Sequence, residues 1–279
     1  MDDLSSSSAI LLGLAQDAGV PQIDCRCDNC QTINSNSGWP VSLAIIDNNV
    51  RKYWIIDATP RFPEQLNWLR KRYPGYHFCG ILLTHAHIGH YTGLMYLGRE
   101  AMSADAMPVY ASLSMQAYLC NNGPWSGLIS LSNIELHDMH SNERVILSDE
   151  IAITPVAVDH RSEFSNTFAM LVHGPEKSLF YCPDIDHWRN LNLAEYIDKG
   201  DHALLDATFF SENELPGRNL GEIPHPSVTQ TIEFVKNQSF QAWMIHLNHS
   251  NPLWRLGEET RLLKKHGILL PEFGQVWPL

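Results

Sequence analysis

Short apolar runs recur along the chain at 9–15, 42–47, 53–58, 80–84, 108–112, 144–149, 151–158, 167–173, 178–182, 202–206 and 241–246, and each has the length of a buried strand. Between them, apolar residues at helical spacing predict helices near 63–73, 92–102, 114–121, 190–198, 227–237 and 258–266. Strands alternate with helices in the first half, the centre is all strand, and the end alternates again. An α/β fold of two mixed sheets held between outer helices fits this order.

Composition narrows the picture. A chain of 279 residues has room for one large domain or two ordinary ones, and no repeat, low-complexity tract or linker divides it. It reads as a single domain over 1–279. Hydrophobic content of 44% with 18% charged residues implies a substantial core. The net charge of −12 argues against a general affinity for nucleic acid, which needs clustered basic residues. No apolar run reaches membrane-spanning length. The start, Met1-Asp2-Asp3-Leu4 and four serines, lacks the basic stretch of a secretory signal, so a cytoplasmic protein is expected. Glycine and proline cluster at 15–24, 122–127 and 214–225, which read as loops of a length that often carries function.

The chemistry concentrates at strand ends. His85, His87 and His90 place three imidazoles within six residues, directly behind the apolar run 79–83. Residues two apart in an extended segment face the same side, and neutral imidazole is a common metal ligand. Solvated or capping histidines are the bland alternative. Three further runs end in ligand-type residues: His160 after 151–158, Asp184 and Asp186 after 178–182, and His246 and His249 after 241–245. Any one of these alone reads as a surface loop residue; together they point to a metal site. Asp57, ending the run 53–57, is either a partner that orients a ligand histidine or a turn cap.

Six cysteines are unevenly placed. Cys79, Cys120 and Cys182 stand singly in apolar surroundings, as buried small hydrophobes do. Cys25, Cys27 and Cys30 crowd together, and in a chain without a secretory signal this favours metal over disulfides. A redox pair would normally present Cys-x-x-Cys at a helix start. A closed structural zinc site needs one more ligand.

With these residues the chain resembles the metallo-β-lactamase superfamily, whose signature is His-x-His-x-Asp-His followed by separate His, Asp and His ligands. Within it the sequence is similar to the PqqB-like proteins of pyrroloquinoline-quinone biosynthesis, through the segments 19–30, 206–210 and 246–252. The resemblance implies an αββα sandwich with His85, His87 and His160 as ligands of a first metal and Asp184 bridging to a second. Asp186 is the nearest competitor for that role, but Asp184 follows the strand directly. His90 and His246 would serve the second metal, whose remaining aspartate is replaced here by Gly89. Glycine offers no side-chain oxygen, so one firmly held divalent ion (Zn, Fe or Mn) is expected, with a second weak or absent. A related phosphodiesterase of phosphonate catabolism completes a similar cysteine trio with a histidine three residues past the last active-site histidine. That position is His249 here, implying a Cys3His structural zinc element built on 25–30. The same relative uses a histidine in the segment around His225 as general acid. His225 is therefore a candidate proton donor, with an exposed loop histidine as the alternative. The other histidines, His77, His137, His140, His173, His187, His202 and His266, have no motif around them.

The leading expectation is a metal-dependent hydrolase of an ester, phosphodiester or peptide-like small substrate, with Asp184 and His225 as catalytic residues. One alternative is a mononuclear non-haem iron oxygenase in cofactor or peptide-modification chemistry, since two or three histidines with one carboxylate suit that ion. Another is a non-catalytic metal-stabilised carrier. A homodimer is left open.

Overall fold

The computed structural model describes residues 6–214 and 223–279; the glycine- and proline-rich stretch expected as a loop lies partly outside these residues. One sheet runs β13 (Val276–Pro278), β1 (Ser7–Leu11), β2 (Leu43–Asp47), β3 (Lys52–Ile56), β4 (His77–Leu82), β5 (Met107–Ala111), β6 (Ile134–Asp138). The other runs β12 (Gln241–Ile245), β11 (His202–Asp206), β10 (Ser178–Cys182), β9 (Thr167–His173), β8 (Ala152–Val158), β7 (Val145–Ile146). Both are mixed. β3 to β6 pair in parallel while β1, β2 and β13 are antiparallel. β10, β11 and β12 are parallel, and β7 to β10 are antiparallel.

The helices α1 (Asp28–Thr32), α2 (Phe62–Arg72), α3 (Ile88–Tyr91), α4 (Leu113–Asn121), α5 (Trp125–Ser130), α6 (Val228–Val235) and α7 (Glu258–Lys265) fill the connections. Their ends follow local chemistry. Pro63 starts α2 and Arg70, Lys71 and Arg72 close it, where cations complement the helix dipole. Ser227 and Gln230 form a reciprocal capping box on α6.

The strands read as nearly unbroken apolar runs because both faces are covered. In β2, Leu43 and Ile45 face the core between the sheets, with Trp54, Phe180 and Leu204. Ala44 and Ile46 face the opposite way, toward Phe62, Leu66 and Leu69 of α2. Such a two-sided core makes the strands rigid mounts for whatever follows their last residues. This is the αββα arrangement expected from the order of elements. Among the described residues no helix is long and apolar enough to cross a membrane.

Several local expectations fail for identifiable reasons. The span 92–102 is a 3-10 segment from Thr92 to Leu97 followed by turns. Gly93 lies so close under the Thr59 carbonyl that a side chain there would overlap it. Over 190–198 only Leu193–Glu195 is helical, and in the 3-10 form. Its polar side chains bond elsewhere instead, Asn190 across to Asp159 and Asn192 locally to Glu195. The run 144–149 supplies only the two residues of β7. The stretch 122–127, read as loop, already contains the start of α5. β6 and β13 were not anticipated; both are edge strands.

Candidate metal centre

β3, β4, β8, β10, β11 and β12 release their chain toward one rim of the sandwich, the place where α/β sheets build sites. His85, His87, His160 and Asp184 converge there, with ligand-type atoms all within 4.8 Å of one another. His160 Nε2 lies 3.4 Å from His87 Nδ1 and 3.4 Å from Asp184 Oδ1. The other carboxylate oxygen, Asp184 Oδ2, faces His90 Nε2 at 3.2 Å and His246 Nε2 at 3.5 Å. The two oxygens of one buried carboxylate thus look toward two separate histidine groups. Two ligands held 2.0–2.1 Å from one ion at 90–110° stand about 2.9–3.4 Å apart, so these spacings are those of coordination shells.

Two matching relays orient the imidazoles. Thr84 Oγ1 donates to Asp57 and accepts from His85 Nδ1 at 3.0 Å, while His90 Nδ1 donates to Asp57 Oδ2 at 2.7 Å. Across the rim, Thr208 Oγ1 donates to Asp206 Oδ1 at 2.7 Å and accepts from His246 Nδ1 at 2.9 Å. His225 Nδ1 donates to Asp206 Oδ2 at 2.7 Å. With Nδ1 engaged, His85, His90 and His246 each direct Nε2 inward, and none of those three nitrogens has a hydrogen-bond partner among the described residues. Asp57 is therefore a partner that orients His90 as well as a turn residue. Asp57 and His246 both adopt positive φ, 68° and 65°, strain that rigid surroundings sustain at functional positions. Asp186, the competitor of Asp184, instead accepts from His160 Nδ1 at 3.0 Å.

Electrostatics follow from burial and from this crowding. Burial alone would raise the Asp184 carboxyl, but surrounding imidazoles, His246 foremost, hold it well below the usual carboxylate range. Burial holds His85 well below the ordinary histidine value, and His87 and His246 below it. His90 is the exception. Burial opposes its charge, yet Asp57 and Asp184 raise it well above the ordinary value. His225 behaves alike, with burial opposing its charge and Asp206 outweighing burial.

Sequence reasoning missed Asp17. It sits in the turn after β1, and its Oδ1 lies 3.1 Å from His90 Nε2, in a group with His90 and His246. Burial would raise its carboxyl, and His90 brings it below the usual value. The signal available was an acid in a loop already singled out as long enough to carry function.

Away from this rim, Cys25, Cys27, Cys30 and His249 form a second group. His249 Nδ1 is 3.3 Å from Cys25 Sγ and 3.5 Å from Cys27 Sγ. Sulfur and nitrogen ligands of one tetrahedral zinc stand about 3.6 Å apart. All six cysteines are free thiols. Asn29 Nδ2 donates to the carbonyls of His249 and Asn251 at 2.8 and 3.1 Å, tying this group to the segment leaving His246. Of the unassigned histidines, His187 lies on the wall of a cavity of 710 Å³ beside the centre, with Asp186, Trp188, Arg189, His225 and Phe234. Trp188 stacks on Phe234 there at 4.9 Å.

A two-sheet sandwich with imidazoles and carboxylates gathered at one rim is the architecture of metallo-β-lactamase-fold proteins. The family model of the beta-lactamase superfamily domain matches residues 53–247, and the chain belongs to that family. It is similar to coenzyme PQQ synthesis protein B of Acinetobacter baylyi, 26% identical over 289 residues that cover 87% of this chain and 90% of the relative. Among solved structures, Zn(2+)-bound PqqB from Methylobacterium extorquens superposes with a TM-score of 0.83 at 18% identity, covering 98% and 100% of the two chains. A diphosphatase of the PhnP family gives 0.71 at 21% identity, with 97% and 96% covered. At these identities the structural likeness speaks for the fold.

Proposed function

We propose that the protein is a metal-dependent hydrolase of small ester, phosphodiester or peptide-like substrates. The observation that carries this reading is Asp184, whose two oxygens face His160 on one side and His90 with His246 on the other. His85, His87, His160 and Asp184 would hold the first divalent ion, and His90 and His246, with Asp184, would hold a second. When bound there, such an ion supplies Lewis acidity and lowers the pKa of a coordinated water. Asp184 accepts a hydrogen bond from the attacking water and so orients it. His225, held by Asp206 at 2.7 Å, protonates the leaving group. The adjoining cavity suits a small substrate. Cys25, Cys27, Cys30 and His249 would hold a structural zinc, which would brace the loop after β12. The relatives named for coenzyme PQQ synthesis support a place in cofactor biosynthesis.

The purified zinc- or manganese-loaded protein is expected to turn over a generic activated ester or diester. Absence of turnover with every divalent metal would overturn the proposal. Oxygen uptake by the anaerobically iron-loaded protein would favour the oxygenase alternative instead. Ligand binding that persists in His87→Ala, with no reaction to lose, would favour the carrier.

A further inference from the structure

We propose that Asp17 is the carboxylate ligand of the second metal, delivered from a different part of the chain to the place that Gly89 leaves open. The inference rests on the metal reading above and adds a carboxylate to His90 and His246 at the second site. A Cβ built on Gly89 would overlap Asp17 Oδ1 and stand 2.5 Å from Asp17 Cα. The backbone and carboxylate of Asp17 thus occupy the volume that a side chain at 89 would need. Glycine at 89 and aspartate at 17 are complementary, each making room for the other.

The loop carrying Asp17 is fixed to the centre. Gln16 N donates to the Leu247 carbonyl and Leu247 N to the Leu14 carbonyl, both at 2.9 Å. Asp17 is thereby fastened to the backbone that presents His246. Its Oδ1 is buried without a hydrogen-bond partner among the described residues, as are His90 Nε2, His246 Nε2 and Asp184 Oδ2. Ligand atoms of Asp17, His90 and His246 lie within 4.8 Å of one another, and Asp184 Oδ2 stands 3.2 Å from His90 Nε2 and 3.5 Å from His246 Nε2. His90 Nε2 stands 3.1 Å from Asp17 Oδ1 and 3.2 Å from Asp184 Oδ2, aligned as a hydrogen bond with neither. A simple ion pair would aim one N–H at one oxygen. One carboxylate oxygen and two imidazole nitrogens within 4.8 Å of one another, with Asp184 Oδ2 beside both nitrogens, are instead ligands of the kind zinc and manganese take.

The test counts metals by native mass spectrometry and reads Mn(II) coupling by electron paramagnetic resonance. Wild type is expected to hold two ions beyond the Cys3His zinc, with a spin-coupled Mn(II) spectrum. Asp17→Ala, and the nearly isosteric Asp17→Asn, should lose one equivalent or bind it at least tenfold more weakly, leaving an uncoupled spectrum. His87→Ala should lose the other ion. Thermal unfolding monitors the fold of each variant. If folded Asp17→Ala keeps both ions and the coupling, or wild type holds a single ion, Asp17 is not a ligand and the one-metal reading stands. If wild type holds no ion at the histidines, the proposed function falls as well.

Discussion

His225 Nδ1 and Asp206 Oδ2 are 2.7 Å apart, and Thr208 joins the same carboxylate, so the imidazole is aimed before any substrate arrives. Its protonated form is favoured by Asp206 despite burial, as a proton donor requires. His225→Gln is expected to lower kcat by about 10²–10⁴ on substrates with poor leaving groups. On a p-nitrophenyl leaving group, which departs without a proton, the loss should be slight. A plot of rate against leaving-group pKa, steeper for the variant than for wild type, is the measurement; parallel plots would remove His225 from the mechanism.

Asp57 orients His90 and, through Thr84, His85. Asn tolerates positive φ, so Asp57→Asn should fold with the same backbone. Losing this partner should weaken active-site metal binding by about 10–100-fold. Competition with a chromophoric chelator measures the change, and unaltered affinity would leave Asp57 a turn residue only.

Cys27→Ala should release one zinc equivalent and lower Tm by about 5–10 °C, since structural zinc contributes directly to folding. Because Asn29 bridges to the His249 and Asn251 carbonyls, the same variant should also bind its active-site metal less tightly. Zinc counting and calorimetry on one preparation test both halves.

Gly89→Ala inverts an ordinary rule. In a helix this change usually stabilises by about 1 kcal/mol. Here the new methyl meets Asp17, and crowding of this kind costs about 1–3 kcal/mol. A lowered Tm is the expected result, and Asp17→Gly should recover it only in part, because the backbone at 17 stays 2.5 Å from the new methyl.

Acid should strip the histidine centre. Its imidazoles must be neutral to bind metal, and burial holds His85, His87 and His246 below the ordinary histidine value of about 6.5, so occupancy should survive through that pH and fall only further into acid. Metal occupancy that never falls as the pH is lowered would count against imidazole ligation.

Most of this architecture could be read from the chain because its information is local. β8 to β12 follow apolar runs whose length and borders are written in consecutive residues. A histidine or aspartate placed just past such a run is carried to the rim whatever the rest of the chain does, as His85, His160, Asp184 and His246 are. The choice of Asp184 over Asp186 also followed from distance to the strand end. The predicted helices at 92–102 and 190–198 went wrong where glycine packing and polar side chains outweighed an apolar pattern.

The sequence by itself determined the sandwich, the rim and the kinds of ligand available there. Only the tertiary structure decided what Gly89 means. Read along the chain, it is a lost ligand; folded, it is the space into which Asp17 fits. No local pattern could pair those positions, because their relation is one of shared volume between the turn after β1 and helix α3. Strand ends are set by consecutive residues, whereas a contact between distant segments exists only once both sheets have packed.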